Sequence, residues 1–325
     1  MKNLYFILIL ALFGQFSSAN EVNVYTSRHY DSDPGLYQEF TNETGVKVNI
    51  ISGKGSALLE RIKAEGKDSP ADIFFTVDAG NLWKIQKENL LQSITSTKVL
   101  DAVPDNLKGP DNQWTAIAKR ARAIFYNPLM VEETEINNLN YEDLADSKWK
   151  NRIVIRSSNN MYNQSLVASL IANLGETQTE SWAKKLVSNF ARKPQGNDRS
   201  QIMAVANGEA DIAIANSYYI GIMLSGSAGE EQLNAAKKVK MLFPNQDNRG
   251  VHINISGAGI LKYAPNVENA NLFLEFLLSK KAQKYMVEKS YEYPVLEGIL
   301  PSKEIASFGL DLSLIHISEP TRPLD

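Results

Sequence analysis

Thirteen tyrosines, three histidines and no cysteine bound the chemistry open to this 325-residue chain. Three of its tyrosine positions stand where apolar, strand-like runs give way to polar loops. Tyr30 closes Ser27-Arg28-His29-Tyr30, Tyr162 lies in Ser158-Asn159-Asn160-Met161-Tyr162-Asn163-Gln164, and Tyr218-Tyr219 follow Ala210–Ala215 through Asn216-Ser217. Any single ring could be a core residue or an aromatic rim. Together they bring phenols to loops at the carboxyl ends of strands, where open α/β sheets bind ligands. An unperturbed phenol has a pKa of about 10 and is neutral at neutral pH, and a neutral set could stack on a sugar. A small, highly charged cation changes the case, because metal binding strips protons from its ligands. Phenolate is a hard oxygen donor, suited to Fe3+ rather than Zn2+ or Cu+. Phenolates from all of Tyr30, Tyr162, Tyr218 and Tyr219 outweigh a trivalent charge, so a neighbouring cation would help. Arg122, in Lys119-Arg120-Ala121-Arg122, could supply it; the alternative for that cluster is a solvated basic face.

Other chemistries have less material. The lack of cysteine excludes disulfides, iron–sulfur clusters, cysteine zinc sites and thiol nucleophiles. There is no Gly-x-Ser-x-Gly, His-Glu-x-x-His, P-loop or dinucleotide fingerprint. Gly53-x-Gly55 alone reads as a turn into a helix. His252, inside Val251-His252-Ile253-Asn254-Ile255, reads as a structural histidine, and Glu230-Glu231 as solvated charges in a surface loop. An enzyme is therefore disfavoured. A formal net charge of -3 shows no basic excess of the kind a nucleic-acid-binding surface needs.

The elements that must position the tyrosines alternate between strand and helix. Residues 1–19 read as a cleaved secretory signal: Lys2, an apolar run from Leu4 to Phe13, then Ser17-Ser18-Ala19 before Asn20. The run is too short to span a membrane, so the mature chain is expected to be exported without direct membrane insertion. Glu21–Tyr25, Val46–Ile51 and Ala71–Val77 read as strands. Helices are expected from Pro34, from Gly55 with Ser56 as N-cap, and over Gly80–Lys87, giving a parallel α/β sheet. Trp114–Tyr126 and Gly250–Leu261 are long extended segments fit to cross between lobes. Asn151–Ile155, Ala210–Ala215 and Val239–Phe243 supply strands for a second α/β series, with helices over Asn163–Asn173, Thr179–Ala191 and Gln201–Asn207. The amphipathic stretch Asn266–Lys280 and the segment Lys281–Glu288 add further helices.

These residues carry a resemblance. Tyr25-Thr26-Ser27-Arg28-His29-Tyr30, Ser69 to Asp78 (SPADIFFTVD), Lys119-Arg120-Ala121-Arg122 and Gly208 to Tyr219 (GEADIAIANSYY) together resemble the ferric-iron-binding periplasmic proteins of ABC importers, in particular the cyanobacterial FutA-like branch. The resemblance runs over nearly all of residues 20–311. It implies a periplasmic-binding-protein type II fold: two α/β lobes joined by extended hinge crossings, with the ligand cleft between them. On that fold residues 20–120 and 245–290 are expected in the N-terminal lobe, and 121–244 and 291–311 in the C-terminal lobe. The resemblance further implies Tyr30, Tyr162, Tyr218 and Tyr219 as iron ligands, Arg122 as an arginine behind the metal, and His29 as a ligand in some members and turned away in others. An adjacent pair such as Tyr218-Tyr219 cannot share one face of a regular strand, so a turn or helix start is required there. Fe3+ is the implied cargo, with Fe2+ as the alternative oxidation state. The implied partner is an inner-membrane ABC iron permease, served by a periplasmic monomer. A polyamine- or sugar-binding protein of the same architecture is the competing reading. Residues 312–325 resemble a translated sequencing adapter and are read as an assembly artefact, which removes His316 from the candidates.

Overall fold

The computed structural model describes residues 20–308. The expected signal (1–19), the adapter-like tail (312–325) and His316 lie outside the described residues. The chain starts with β1 (Glu21–Thr26), α1 (Asp33–Thr44), β2 (Lys47–Ser52), α2 (Gly55–Glu65), β3 (Ile73–Val77), α3 (Ala79–Lys87) and α4 (Thr97–Ala102). α1 forms because Leu36, Tyr37 and Phe40 fall on one face and bury there, with Pro34 in its first turn. It stops at Gly45, whose φ of 71° is the left-handed conformation that glycine adopts without penalty. All five residues of β3 are buried, as its unbroken apolar run requires. Ser56 does not cap α2. The cap position falls two residues earlier, at Lys54, with no side-chain cap.

β4 (Thr115–Tyr126) then leaves the first lobe. It leads into α5 (Glu133–Ile136), β5 (Ile153–Val154), α6 (Met161–Leu174), α7 (Glu176–Ser188), α8 (Asp198–Ala206), β6 (Ile212–Asn216), α9 (Tyr218–Leu224), α10 (Glu230–Ala236) and β7 (Lys240–Leu242). The return runs along β8 (Ile253–Ile260), through α11 (Val267–Leu277) and α12 (Lys280–Lys289), to β9 (Tyr293–Pro294) and α13 (Lys303–Ala306). Glu230 and Glu231 are exposed in the first turn of α10, where a helix N-terminus favours acids, and not in a loop.

The strand order is β2-β1-β3-β8-β4-β6-β5, with β7 and β9 also pairing β4. β1 pairs β2 and β3 in parallel, as expected, but β8 enters antiparallel beside β3 and pairs β4 antiparallel in turn. The sheet is therefore mixed, because its middle consists of two long strands travelling in opposite directions between the lobes. β4 divides its pairing: Thr115–Ala121 face β8, and Arg122–Tyr126 face β6. The apolar cores divide at the same place. Ala118, Ile255 and Val295 belong to a core with Val24, Phe74, Leu82 and Phe273. Ala121, Ile253 and Tyr293 belong to one with Phe125, Trp149, Leu170 and Ile214. Each lobe thus has its own dry interior, and the crossings are the few residues between them.

Candidate metal centre

Three backbone devices bring the phenols together. Tyr30 sits just past β1, where Ser27 N–H donates to the Phe75 carbonyl (3.0 Å) and holds the loop to β3. Tyr162 lies in the first turn of α6, and not in the loop that its polar surroundings suggest. The Asn160 side chain accepts from the Tyr162 N–H at 3.0 Å and starts the helix there. Tyr218 and Tyr219 open α9 directly after β6, which meets the requirement that neighbouring phenols escape strand alternation.

The side chains converge from both lobes. Tyr218 is 1% exposed and Tyr30 8%, and their rings meet edge to face at 5.4 Å. The hydroxyls of Tyr162 and Tyr218 are 3.5 Å apart. The rings of Tyr218 and Tyr219 lie 4.1 Å apart and tilted by 33°. The Tyr30 hydroxyl is buried with no hydrogen-bond partner, a state that costs on the order of 1–3 kcal/mol and that a ligand would relieve. His29 stacks on Tyr30 at 5.5 Å and is itself exposed, with Nδ1 3.5 Å from the Ser27 carbonyl. Among the described residues no group of three or more His, Asp or Glu side chains could hold a metal ion, so the phenols are the donor set the structure offers.

Burial drives the electrostatics of this cluster. It pushes the Tyr30 phenol well up, a push that Glu292 adds to and Arg120 and Arg28 oppose. Burial likewise raises Tyr218, with Tyr162, Tyr30 and Tyr219 as like-charged neighbours once ionised. Tyr219 is raised by burial, then by Tyr162 and Asp198. Without a metal these three phenols are therefore neutral at neutral pH. The side of the His29 ring packed on Tyr30 is desolvated, which lowers its pKa; the Ser27 carbonyl opposes this shift and Arg120 and Arg28 add to it.

The cations behind the phenols are arranged differently from what the sequence suggests. Arg120, two residues before Arg122, is the arginine that faces the phenols. Its guanidinium, 1% exposed, stands 5.5 Å from the Tyr162 ring centroid, and its Coulombic partners are Tyr30, Tyr162, Glu292 and Tyr218. Arg122 is also buried, but it works as a tie: it donates to Asp198 (2.5 Å), Asn163 (2.6 Å) and Asn216 (3.2 Å). Asn163 adjoins Tyr162, and Asn216 lies two residues before Tyr218, so Arg122 fixes the two tyrosine-bearing helix starts to each other. Sequence reasoning missed Glu292 altogether. This buried carboxylate accepts from Arg28 (2.9 Å), Arg120 (3.4 Å) and Ser256 (2.6 Å). Burial alone would raise its pKa, but Arg28 and Arg120 hold it below the usual carboxylate range. Nothing in the residues around Glu292 signals this role, which depends on a contact with Arg28 spanning 264 positions.

A mixed sheet curled across two lobes, with a polar cluster walled in where they meet, defines a ligand-capturing protein. The chain belongs to the family of bacterial extracellular solute-binding proteins, which matches residues 27–284. It is 52% identical over 289 residues to iron uptake protein A1 of Synechocystis, covering 89% of this chain and 79% of that one. It is 30% identical over 297 residues to the major ferric iron-binding protein of Neisseria meningitidis, covering 90% and 86%. The solved structure of Trichodesmium IdiA (FutA) in complex with iron and citrate superposes with a TM-score of 0.84 at 52% identity, covering 89% of this chain and 91% of that one. The fold is accordingly the periplasmic-binding-protein type II fold, and the chain is a solute-binding protein rather than an enzyme. Among the described residues no helix is long and apolar enough to cross a membrane.

Proposed function

We propose that this chain is an extracytoplasmic iron(III)-binding protein that captures its ion through the phenolates of Tyr30, Tyr162, Tyr218 and Tyr219. It then delivers the ion to an ABC permease of the inner membrane. The observation that carries this reading is the convergence of the four phenols, one from the first lobe and three from the second, into one buried cluster. Each phenol is a hard oxygen donor once its proton leaves. The ion supplies the positive charge that removes those protons, against the burial that otherwise keeps them on. Arg120 offsets the excess negative charge that the phenolates leave around a trivalent ion, and Glu292, paired with both Arg28 and Arg120, keeps the site from being overcharged in the other direction. The relatives named for iron uptake and ferric binding support the same cargo. His29, exposed and stacked on Tyr30, is positioned to approach the ion from the rim or to turn away.

The proposed cycle takes place in the periplasm, after removal of residues 1–19, with the protein as a monomer. Residues 20–120 and most of 245–290 form the lobe that brings Tyr30, with Val251 and Ile253 packed in the other core, and 121–244 and 291–308 the lobe that brings the other three. Closure of the lobes assembles the site, and reopening against the permease breaks it. A polyamine would need free carboxylates in the cleft. Glu292 and Asp198, the acids whose charge acts on the phenols, are instead paired with Arg28, Arg120, Arg122 and Arg156, and Asp78 is enclosed by the Gly80, Ser165 and Asn254 donors.

The test is metal analysis of the mature chain after exposure to ferric citrate and removal of free metal. Parallel samples take ferrous iron without oxygen, spermidine or glucose, followed by thermal unfolding. The expected result is one Fe3+ retained per chain and a raised unfolding temperature with ferric iron alone. A Tyr218→Phe, Tyr219→Phe double variant should lose both. Stabilisation by spermidine or glucose, with no iron retained, would overturn the proposal.

A further inference from the structure

One buried acid of the first lobe feels the charge of Arg120 but makes no direct ion pair with an arginine among the described residues. Asp78 ends β3 and caps α3, accepting from the Gly80 N–H at 2.9 Å. Its φ of 85° is a backbone conformation that L-residues adopt at a cost, and such strain persists only where its surroundings enforce it. The enforcement is visible, since the Asp78 N–H donates to the Ile255 carbonyl of β8 at 2.8 Å. The carboxylate is fully buried and forms no ion pair, a costly placement for a charge unless hydrogen bonds surround it. Its remaining donors come from β8 and from the other lobe. The Asn254 amide of β8 donates at 2.7 Å, and the Ser165 hydroxyl lies 2.9 and 2.8 Å from the two oxygens.

Ser165 belongs to α6, in the other lobe, three residues after Tyr162 and so one helical turn along the same side. A second observation marks the same meeting point. A Cβ placed on Gly80, at the start of α3, would lie 3.4 Å from the sulfur of Met161, at the start of α6. The Met161 side chain at the start of α6 thus reaches the start of α3, beside the Asp78–Ser165 contact.

We propose that Asp78 and Ser165 form a clasp between the lobes, which holds the closed conformation. Hydrogen bonds to charged acceptors are among the stronger ones, and this one exists only while the lobes are together. The strained Asp78 backbone aims the carboxylate at the opposite lobe instead of at its own helix alone. Asn254, on the returning crossing strand, donates to the same carboxylate. Its Oδ1 accepts from Ala79 N–H (2.9 Å) and Ile255 N–H (2.8 Å), which ties the clasp to the hinge. The clasp needs no metal, and its role in iron retention rests on the iron-binding reading above.

The experiment compares the mature wild type with Ser165→Ala and Ser165→Thr. Small-angle X-ray scattering is recorded without iron, and iron release to an excess of a competing chelator is timed after loading. Ser165→Ala is expected to show a larger radius of gyration without iron and about ten-fold faster release. The visible absorption of its loaded form should match wild type, because the ligands are intact. Ser165→Thr keeps the hydroxyl and should restore both values; thermal unfolding confirms that each variant is folded. Scattering and release in Ser165→Ala that both match wild type overturn the clasp. A wild type that takes up no iron removes the iron-binding reading, and scattering alone then decides the clasp: a profile unchanged in Ser165→Ala refutes it.

Discussion

Acid should weaken this protein through one buried histidine that is not among the proposed ligands. His252 is 3% exposed, at the foot of β8, and neither ring nitrogen has a partner. Burial lowers its pKa to about 3, with Arg122 and Arg120 adding to the shift. The folded state therefore keeps the ring neutral while the unfolded chain protonates it near the ordinary value of about 6.5. For a group depressed in this way, stability is intact above about pH 6.5 and falls as pH drops toward the folded value, because the unfolded state binds the extra proton. At pH 5 the loss from this residue is about 2 kcal/mol, and at pH 4 about 3.4 kcal/mol, at 1.36 kcal/mol per unit. For a chain of this length the pH 5 figure corresponds to roughly 3 °C in unfolding temperature. The assay is denaturant or thermal unfolding of wild type and His252→Gln at pH 7.5, 6 and 5. The variant pays a constant packing penalty at every pH, so the informative quantity is the slope. It should lose about 2 kcal/mol less than wild type between pH 7.5 and 5. Equal slopes would show that His252 is not held neutral and would refute the reasoning.

Two further outcomes follow from the site. Because burial keeps Tyr30, Tyr218 and Tyr219 protonated in the iron-free protein, loading with Fe3+ at neutral pH should release protons from the phenols. A weakly buffered titration should show affinity rising steeply with pH, and binding without proton release would exclude phenolate ligation. On α9, a Cβ at Gly221 would lie 2.5 Å from Cγ of Tyr291, so Gly221→Ala must shift the helix that begins with Tyr218 and Tyr219. It should weaken iron retention about ten-fold or more while leaving far-UV circular dichroism unchanged. Retention equal to wild type would mean the helix start absorbs the shift.

Much of the scaffold was legible in the sequence because it follows from periodicity. The run Ala71–Val77 reads as a buried strand on apolar content alone, and the alternation in Glu21–Tyr25 places β1. The requirement that Tyr218 and Tyr219 escape a strand is local stereochemistry, and α9 meets it. The start of α6 was misplaced because one asparagine decides it. Asn160 is equally at home in a loop and as a cap, and only its bond to the Tyr162 N–H distinguishes the two. The different placement of Arg120 and Arg122 has a different cause. Residues two apart on a strand share a face, so alternation cannot separate them. What separates them is the change of pairing partner along β4, from β8 at Arg120 to β6 at Arg122. Glu292 and Asp78 were invisible as structural acids for the same reason. Their partners lie far off in sequence, and a charged residue gives no sign of burial until its donors are assembled.

The central claim is that iron is held by phenolates from both lobes, and visible absorption spectroscopy of the iron-loaded mature chain tests it most directly. The account predicts a phenolate-to-iron charge-transfer band in wild type. That band should weaken and shift in Tyr30→Phe and Tyr162→Phe, and disappear in the Tyr218→Phe, Tyr219→Phe double variant. A wild-type chain that retains one Fe3+ but stays colourless, or whose spectrum is unchanged in the double variant, would contradict it.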